Sequence, residues 1–235
     1  MANYLLIHDV WQGKWVWPAV TAELTMRGHE VHSIDLPGSG ADLTPHDQVS
    51  LPLQIEAIVR AIAVIGKRVT LVGHGIGGIA VSAAAEQAAD SLARLIYLSA
   101  FVPGNEDGLN LLADLASSLQ AQVDAVAAPT LATSRTQTFM QDAPHAVASW
   151  AVPQFRAQAL APLLAPVQLT PERYGQVPKS YIVCTRDRAI EPVLQRRMAT
   201  RAGCARVKEL ASDHSPFLSR PGETAEILHR MATEL

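Results

Sequence analysis

Short apolar runs alternate with longer amphipathic segments along the first hundred residues of the chain. The short runs are predicted to be buried strands: Tyr4–His8, Glu30–Leu36, Val69–Val72 and Leu95–Ser99. The longer segments carry apolar residues at helical spacing, or are rich in alanine, and are predicted to be helices: Trp15–Met26, Leu51–Ile65 and Ile79–Ala89. Strands that alternate with helices of this length indicate an α/β fold, with a mostly parallel sheet flanked by helices.

This alternation stops after Pro103 and resumes near residue 179. Residues 104–177 contain no strand-like run, only helix-prone segments such as Leu109–Val126 and Phe155–Ala161 between several prolines. The later elements are predicted strands and a closing helix: Tyr181–Cys184, Ala205–Leu210 and Pro221–Leu235. The expected organisation is one core, formed by residues 1–103 and 179–235, with residues 104–178 inserted as a helical cap. The cap either covers a substrate or is a packing layer, and one segment can serve both purposes.

Composition narrows the class of protein. Of the 235 residues 49% are apolar and 17% charged, which is typical of a globular protein with a buried core. The net charge of −3 argues against nucleic acid or an anionic membrane as a partner. Cys184 and Cys204 are too few for a disulfide framework and are expected to be free thiols in a reducing compartment. With no recognisable signal peptide or membrane span, a cytoplasmic protein is expected.

A glycine-rich turn joins the third predicted strand to its helix. Gly73, Gly75 and Gly78 form a formal G-x-G-x-x-G, the dinucleotide-binding pattern, but the turn also has the shape of the nucleophile elbow G-x-S-x-G with Gly75 at the serine position. The dinucleotide pattern requires an acidic residue at the end of the following strand, and Leu95–Ser99 has none. The elbow is therefore the favoured interpretation.

Two later loops supply the acid and the histidine that an enzyme with a nucleophile elbow requires. Asp187 follows one predicted strand and His214 follows the last, so the order is elbow, acid, histidine. This is the chain order of the α/β-hydrolase triad, in which the carboxylate orients the imidazole and the imidazole accepts the nucleophile's proton. The remaining histidines and the two cysteines do not form a recognisable metal-ligand set, so no metal is expected.

Several segments together resemble the methylesterase and hydroxynitrile lyase branch of the α/β-hydrolase superfamily, which also has bacterial relatives. The matching segments extend from one end of the chain to the other: LLIHDVWQGKWVW (Leu5–Trp17), SIDLPGSG (Ser33–Gly40), VGHGIGG, LSAFVP (Leu98–Pro103), CTRD and SDHSPFLSRP (Ser212–Pro221). The resemblance implies an α/β-hydrolase fold with an eight-stranded sheet, a helical cap and no cofactor. It also implies a backbone oxyanion hole formed by the N–H groups of Val10 and Ile76.

Gly75 departs from the family pattern, which has serine at this position. Glycine has no hydroxyl that could form an acyl-enzyme, so a protein with this sequence cannot use the covalent mechanism at residue 75. Three explanations compete: the serine was replaced and the protein inactivated, Gly75 is native and the chemistry is non-covalent, or the protein only binds a ligand. In the first case Gly75→Ser alone is expected to restore esterase activity.

Asp9 is the second departure, in the loop that borders the expected oxyanion hole. A carboxylate there could bind substrate or act as a second acid or base, and a turn residue bonded to nearby N–H groups is an equal alternative. Trp11 and Trp150 are candidates for lining the substrate site.

The predicted function is cofactor-free, esterase-type hydrolysis of a small apolar or aromatic carbonyl compound by a Ser-His-Asp mechanism, with the nucleophile replaced by Gly75. In the first alternative His214, with or without Asp9, acts as a general base in hydrolysis, lyase or cyclase chemistry without an acyl-enzyme. The second alternative is a non-catalytic binding protein. The expected partner is a small-molecule substrate, with a homodimer left open.

Overall fold

The computed structural model describes residues 1–104, 136–159 and 161–234. Six strands in these ranges form one sheet in which every neighbouring pair is parallel, in the order β2-β1-β3-β4-β5-β6. The strands are β1 Asn3–Ile7, β2 Glu30–Ser33, β3 Val69–Gly75, β4 Leu92–Ala100, β5 Lys179–Cys184 and β6 Arg206–Leu210. Because parallel strands point the same way, the loops that follow them emerge at one edge of the sheet.

Helices cover both faces of this sheet. Those within the described residues are α1 Pro18–Met26, α2 Leu51–Ile65, α3 Gly77–Ala88, α4 His145–Ala151, α5 Ala161–Leu164, α6 Pro192–Arg201, α7 Pro216–Ser219 and α8 Pro221–Thr233. A helical stretch at 136–139 and several short 3₁₀ turns complete the described regular structure. No helix in the described ranges combines the length and the apolar character needed to cross a membrane.

Side chains that alternate along each strand form two separate apolar clusters. Leu5 and Leu71 belong to the cluster on one face, which includes α2 and α3, whereas Leu6 and Val72 belong to the cluster on the other face with α1 and α8. Successive side chains of a strand point to opposite faces, so this segregation is what a sheet covered on both sides requires. The α/β architecture predicted from the alternating pattern is confirmed.

Most predicted elements are found, with shifted ends. The helix Leu51–Ile65 has the predicted bounds, and Gly66, with φ +65°, ends it in the left-handed conformation that glycine favours. The prediction that the second strand reaches Leu36 is wrong, because that strand ends at Ser33. The N–H of Leu36 donates to the ring of His8 instead of to a neighbouring strand.

Two further expectations are corrected. The described residues form a six-stranded sheet, where the resemblance implied eight strands. The predicted helix over Phe155–Ala161 is wrong, since residues 155–159 are irregular and α5 begins only at Ala161. The N–H of Arg156 is used in a bond to the carbonyl of Trp11, so this segment is bonded to the core and not to itself.

The inserted region shows only helices and turns where it is described. Between the end of β4 at Ala100 and the start of β5 at Lys179, residues 136–159 and 161–178 contain no strand. The predicted helix Leu109–Val126 lies outside the described residues. The division into a core and a 104–178 cap stays a prediction.

Candidate active site

The turn between β3 and α3 leaves little space around its backbone. Gly75 has φ +54°, a left-handed conformation that disfavours a side chain. A Cβ at Gly78 would lie 2.1 Å from the carbonyl oxygen of Phe101, so the first turn of α3 can approach β4 only with glycine there. The sequence thus forms a sharp strand-to-helix turn at the edge where the strands end.

Asp187 is held rigidly in the loop after β5. Its Oδ1 accepts hydrogen bonds from the N–H groups of Ala189 at 2.7 Å and Ile190 at 3.0 Å. Its Oδ2 accepts from Gln195 Nε2 at 2.9 Å and from the hydroxyl of Ser99 at the end of β4. Asp187 is 6% exposed, and its carboxylate cannot rotate without breaking several of these hydrogen bonds.

His214 lies beside this carboxylate in the loop after β6. Its Nδ1 is 2.8 Å from Asp187 Oδ2, and its backbone carbonyl accepts a bond of 2.8 Å from His74 Nε2. The neighbouring Asp213 accepts from the N–H of Ser215 at 3.2 Å, which fixes the turn that presents the imidazole. The structure therefore brings together the acid and the histidine that the motifs predicted, below the turn at residue 75.

Asp9 occupies the position where the elbow and the oxyanion hole meet. Its Oδ1 accepts hydrogen bonds from the N–H of Val10 at 2.7 Å and of Ile76 at 2.6 Å. Its Oδ2 lies 3.0 Å from His214 Nε2. The two N–H groups expected to stabilise a substrate oxyanion converge as predicted, but they already bind a carboxylate of the protein itself.

His8 fixes the backbone of this loop. Its Nδ1–H donates to the carbonyl oxygen of Asp9 at 2.6 Å, and its Nε2 accepts from the N–H of Leu36 at 3.1 Å. Burial lowers the pKa of His8, so the ring is neutral and can donate from one nitrogen while it accepts at the other. The ring thereby bridges the loops that follow β1 and β2.

Gly75 and Asp9 depend on each other. A Cβ built on Gly75 would lie 2.1 Å from Asp9 Cγ and 2.3 Å from each carboxylate oxygen. A side chain at residue 75 and the Asp9 carboxylate therefore exclude one another in this arrangement. The two departures from the family pattern are one structural feature.

The charges of the centre follow from its burial and its hydrogen bonds. Burial opposes protonation of His214, but the carboxylates of Asp187 and Asp9 outweigh it and raise the pKa of the imidazole from 6.5 to about 10. Burial alone would raise the pKa of Asp9, yet the bond to His214 and the nearby histidines lower it. Burial and the neighbouring His214 lower the pKa of His74 to about 3. These shifts favour an imidazolium at His214 paired with the carboxylate of Asp9, beside a neutral His74.

The role of His214 as a general base stays a prediction. A doubly hydrogen-bonded imidazolium has no lone pair available to accept a proton from a nucleophile. It is instead positioned as a proton donor, and the adjacent anionic Asp9 is the group that can accept one.

Aromatic side chains cover the imidazole. The ring of Phe139 lies 5.7 Å from that of His214 and 6.1 Å from that of Trp11. Trp11 is 6% exposed and has φ +59°, a left-handed conformation that is rare for a bulky residue. Its N–H donates to Gln158 Oε1 at 2.7 Å, which ties the loop after β1 to the inserted region.

Trp150 lies away from these contacts. Its side chain is 51% exposed and packs edge-on against Trp15 at 5.7 Å between ring centroids. No contact found among the described residues links it to His214 or Asp9. Its assignment to the substrate site stays a prediction, and Trp11 is the better-supported of the two.

Sequence reasoning missed Ser99 and Gln195, which both hold Asp187. Ser99 has φ +41° and its hydroxyl is also 3.4 Å from His214 Nδ1. The sequence signal for Ser99 was its position at the end of a predicted strand, within the LSAFVP segment that resembles the family. Gln195 lies inside α6, and nothing in the sequence distinguishes it from a surface glutamine.

Asp9, His74 and His214 could together approach a cation. One potential ligand atom from each lies within 4.8 Å of the others. In the present arrangement, however, Asp9 Oδ2 and His214 Nε2 are hydrogen-bonded to each other, so these two atoms are not free to bind a cation. The expectation that no metal takes part stays a prediction.

Known proteins resemble this chain along its whole length. The sequence model of the Alpha/beta hydrolase family matches residues 4–227. Methylesterase 7 of Arabidopsis thaliana is 27% identical over 252 residues, which cover 98% of this chain and 96% of the relative. Esterase PIR7B of Oryza sativa subsp. japonica is 29% identical, with 99% of this chain and 96% of the relative covered.

Solved structures share the fold. Tomato Methylketone Synthase I, in complex with 2-tridecanone, superposes with a TM-score of 0.87 at 24% identity, covering 99% of this chain and 98% of that one. Polyneuridine aldehyde esterase superposes with a TM-score of 0.84 at 21% identity, covering 99% of both chains. The fold predicted from the sequence motifs is confirmed.

Proposed function

The chain belongs to the alpha/beta hydrolase family, and we propose that it is a native carboxylic ester hydrolase in which the Asp9–His214 pair replaces the serine nucleophile. Its esterase-named relatives support the reaction class. The observation that carries the mechanism is the position of Asp9: its carboxylate fills the space of a residue-75 side chain and contacts both oxyanion-hole N–H groups and His214.

Gly75 is accordingly assigned as native and not as an inactivating replacement. A protein that had lost only its serine would keep a free space above residue 75. Here the space is filled by a carboxylate with three polar contacts: Oδ1 accepts from the N–H groups of Val10 and Ile76, and Oδ2 lies against the imidazole of His214. Such a buried charge is stable only when its partners are in place.

In the proposed reaction, an ester carbonyl oxygen takes the place of Asp9 Oδ1 between the N–H groups of Val10 and Ile76. These fixed donors then stabilise the tetrahedral oxyanion, an effect typically worth about 3–4 kcal/mol per donor. The released Asp9 carboxylate accepts a proton from the attacking water, and the His214 imidazolium donates its proton to the leaving alkoxide. Asp9 returns the proton to His214 across their contact, so the centre is restored.

The substrate is assigned as a small ester with an apolar or aromatic group. Phe139 and Trp11 provide apolar surface directly over the imidazole, and such a surface favours substrates that gain by leaving water. The inserted region, residues 104–178, is proposed to form the cap over this site, since it is bonded to Trp11 through Gln158.

A panel of aryl and short acyl esters tests the function. The unmodified protein is expected to turn over at least one class, and His214→Gln is expected to lower kcat/KM by about 10²–10⁴-fold because the positioned proton donor is removed. His46→Gln, an exposed histidine outside the centre, is the matched control and should retain full activity. Saturable ligand binding without turnover, unchanged in His214→Gln, would instead identify a binding protein.

A further inference from the structure

An open groove of about 810 Å³ lies beside α1, where the core meets the inserted region. Its walls come from α1, from the loops that follow β1 and β2, and from residues 153–156 of the inserted region. Neither Asp9 nor His214 lines this groove. It is therefore a second cavity, separate from the candidate active site.

Two cationic side chains of the groove lack a close anionic partner. Lys14 Nζ is 3.8 Å from Asp35 Oδ2, and the lysine side chain is 56% exposed. The guanidinium of Arg156 donates to the carbonyl of Gly40 at 2.5 Å, and no ion pair is found for it within the described residues. Because a guanidinium carries five N–H donors, Arg156 keeps donors for a ligand.

Asp35 is the one acidic side chain among the described residues that line the groove. Its Oδ1 accepts from the N–H of Lys14 at 2.7 Å, and its Oδ2 accepts from the N–H of Ala41 at 3.3 Å. Gly40 packs so closely on this carboxylate that a Cβ there would lie 2.0 Å from Oδ1. The contacts of Lys14 with Asp35 and of Arg156 with Gly40 therefore bring the two cations to the same end of the groove. One acid beside two cations leaves a net positive charge, which favours an anion with a single charge.

The remaining surface of the groove is largely apolar. It is formed chiefly by Trp15, Pro18, Ala22, Ala41 and Pro153. The ring of Trp15 is held by aromatic contacts, with centroid distances of 5.7 Å to Trp150 and 5.8 Å to Phe155. A fixed apolar wall of this kind binds hydrocarbon that gains by leaving water.

We propose that this groove binds a small amphipathic carboxylate, that is, a hydrocarbon chain or ring that ends in one carboxylate group. The carboxylate lies against Arg156, whose planar guanidinium can bond both of its oxygens, and Lys14 adds a second positive charge. The hydrocarbon covers Trp15. Binding requires no turnover, so this site stands apart from the proposed ester hydrolysis.

NMR of the tryptophan indole N–H groups, with octanoate as the ligand, tests the proposal. The Trp15 signal is expected to move until one octanoate is bound per chain, while the signal of Trp17, which is fully buried, stays in place. Octyltrimethylammonium has the same chain and the opposite charge, and it is expected to bind roughly tenfold more weakly. Equal binding of the two probes would overturn the proposal. Movement of the Trp11 signal without that of Trp15 would also overturn it, because the ligand would then lie over His214.

A double variant tests the charged end of the groove. Lys14→Gln/Arg156→Gln is expected to weaken octanoate binding about tenfold, the order expected for the loss of two solvent-exposed charge contacts. Arg60→Gln/Lys67→Gln is the matched control, since it removes the same charge from exposed ion pairs outside the groove. The control should bind octanoate like the unmodified protein.

A single variant tests the apolar wall. Ala22→Glu places a carboxylate on the groove side of α1 and is expected to abolish octanoate binding. Ala19→Glu makes the same change at an exposed position of α1 outside the groove and should have no effect. The proposal is overturned if octanoate does not bind saturably, or if its affinity is unchanged in both Lys14→Gln/Arg156→Gln and Ala22→Glu.

Discussion

Asp9→Asn is expected to lower kcat/KM for esters by about 10²–10⁴-fold, the range typical for removal of a positioned acid or base. The amide fills nearly the same volume, so its oxygen can still accept from the N–H groups of Val10 and Ile76. It cannot accept a proton from water, however, and its neutral charge no longer holds His214 as an imidazolium. The loss is therefore chemical and not structural.

Steady-state kinetics and circular dichroism on the purified variant check this result. Asp42→Asn is the matched control, since its carboxylate accepts from Gly38 and Thr44 within its own loop and does not contact the centre. Full activity of Asp9→Asn would show that Asp9 only stabilises the turn through its hydrogen bonds, which is the structural alternative given in the sequence analysis.

Gly75→Ser is expected to leave the protein without an acyl-serine activity unless Asp9 is shortened at the same time. The serine Cβ would meet Asp9 Cγ at 2.1 Å, so the single variant must move the carboxylate and is expected to lose about 1–3 kcal/mol of unfolding free energy, the usual cost of overpacking. This revises the sequence-based expectation that the single substitution restores activity.

The double variant Asp9→Gly/Gly75→Ser is expected to behave differently. It frees the N–H groups of Val10 and Ile76 for a substrate oxyanion and leaves His214 with a single carboxylate partner, so the imidazole can act as a base toward the new hydroxyl. Labelling by a serine-directed fluorophosphonate should change from none in the unmodified protein to one label per chain in the double variant. Equal labelling of the single variant would show that the two positions do not exclude each other.

Local sequence signals were sufficient for the fold and for the triad loops. Short apolar runs and helical spacing predicted the alternating elements, and Leu51–Ile65 was found with its predicted bounds because Ser50 and Gly66 cap it at both ends. The order of Gly75, Asp187 and His214 located the centre because parallel strands bring their following loops to one edge.

The charge state of the centre could not be predicted in the same way. That Asp9 bonds Val10, Ile76 and His214 depends on contacts between residues up to 205 positions apart. The sequence showed Gly75 and Asp9 as two separate departures, and only their distance in space shows that one permits the other. The roles of Ser99 and Gln195 were missed for the same reason.

Nitrogen-15 NMR of the His214 ring across a pH titration tests most directly whether Asp9 completes the centre. With both carboxylates in place, both ring nitrogens are expected to carry protons at neutral pH, and the charge should be lost only as the pH rises through about 10. In Asp9→Asn the same titration should move to lower pH, because one anionic partner is gone. A His214 ring that is neutral at pH 7 in the unmodified protein, or that titrates identically in the two proteins, would contradict the account.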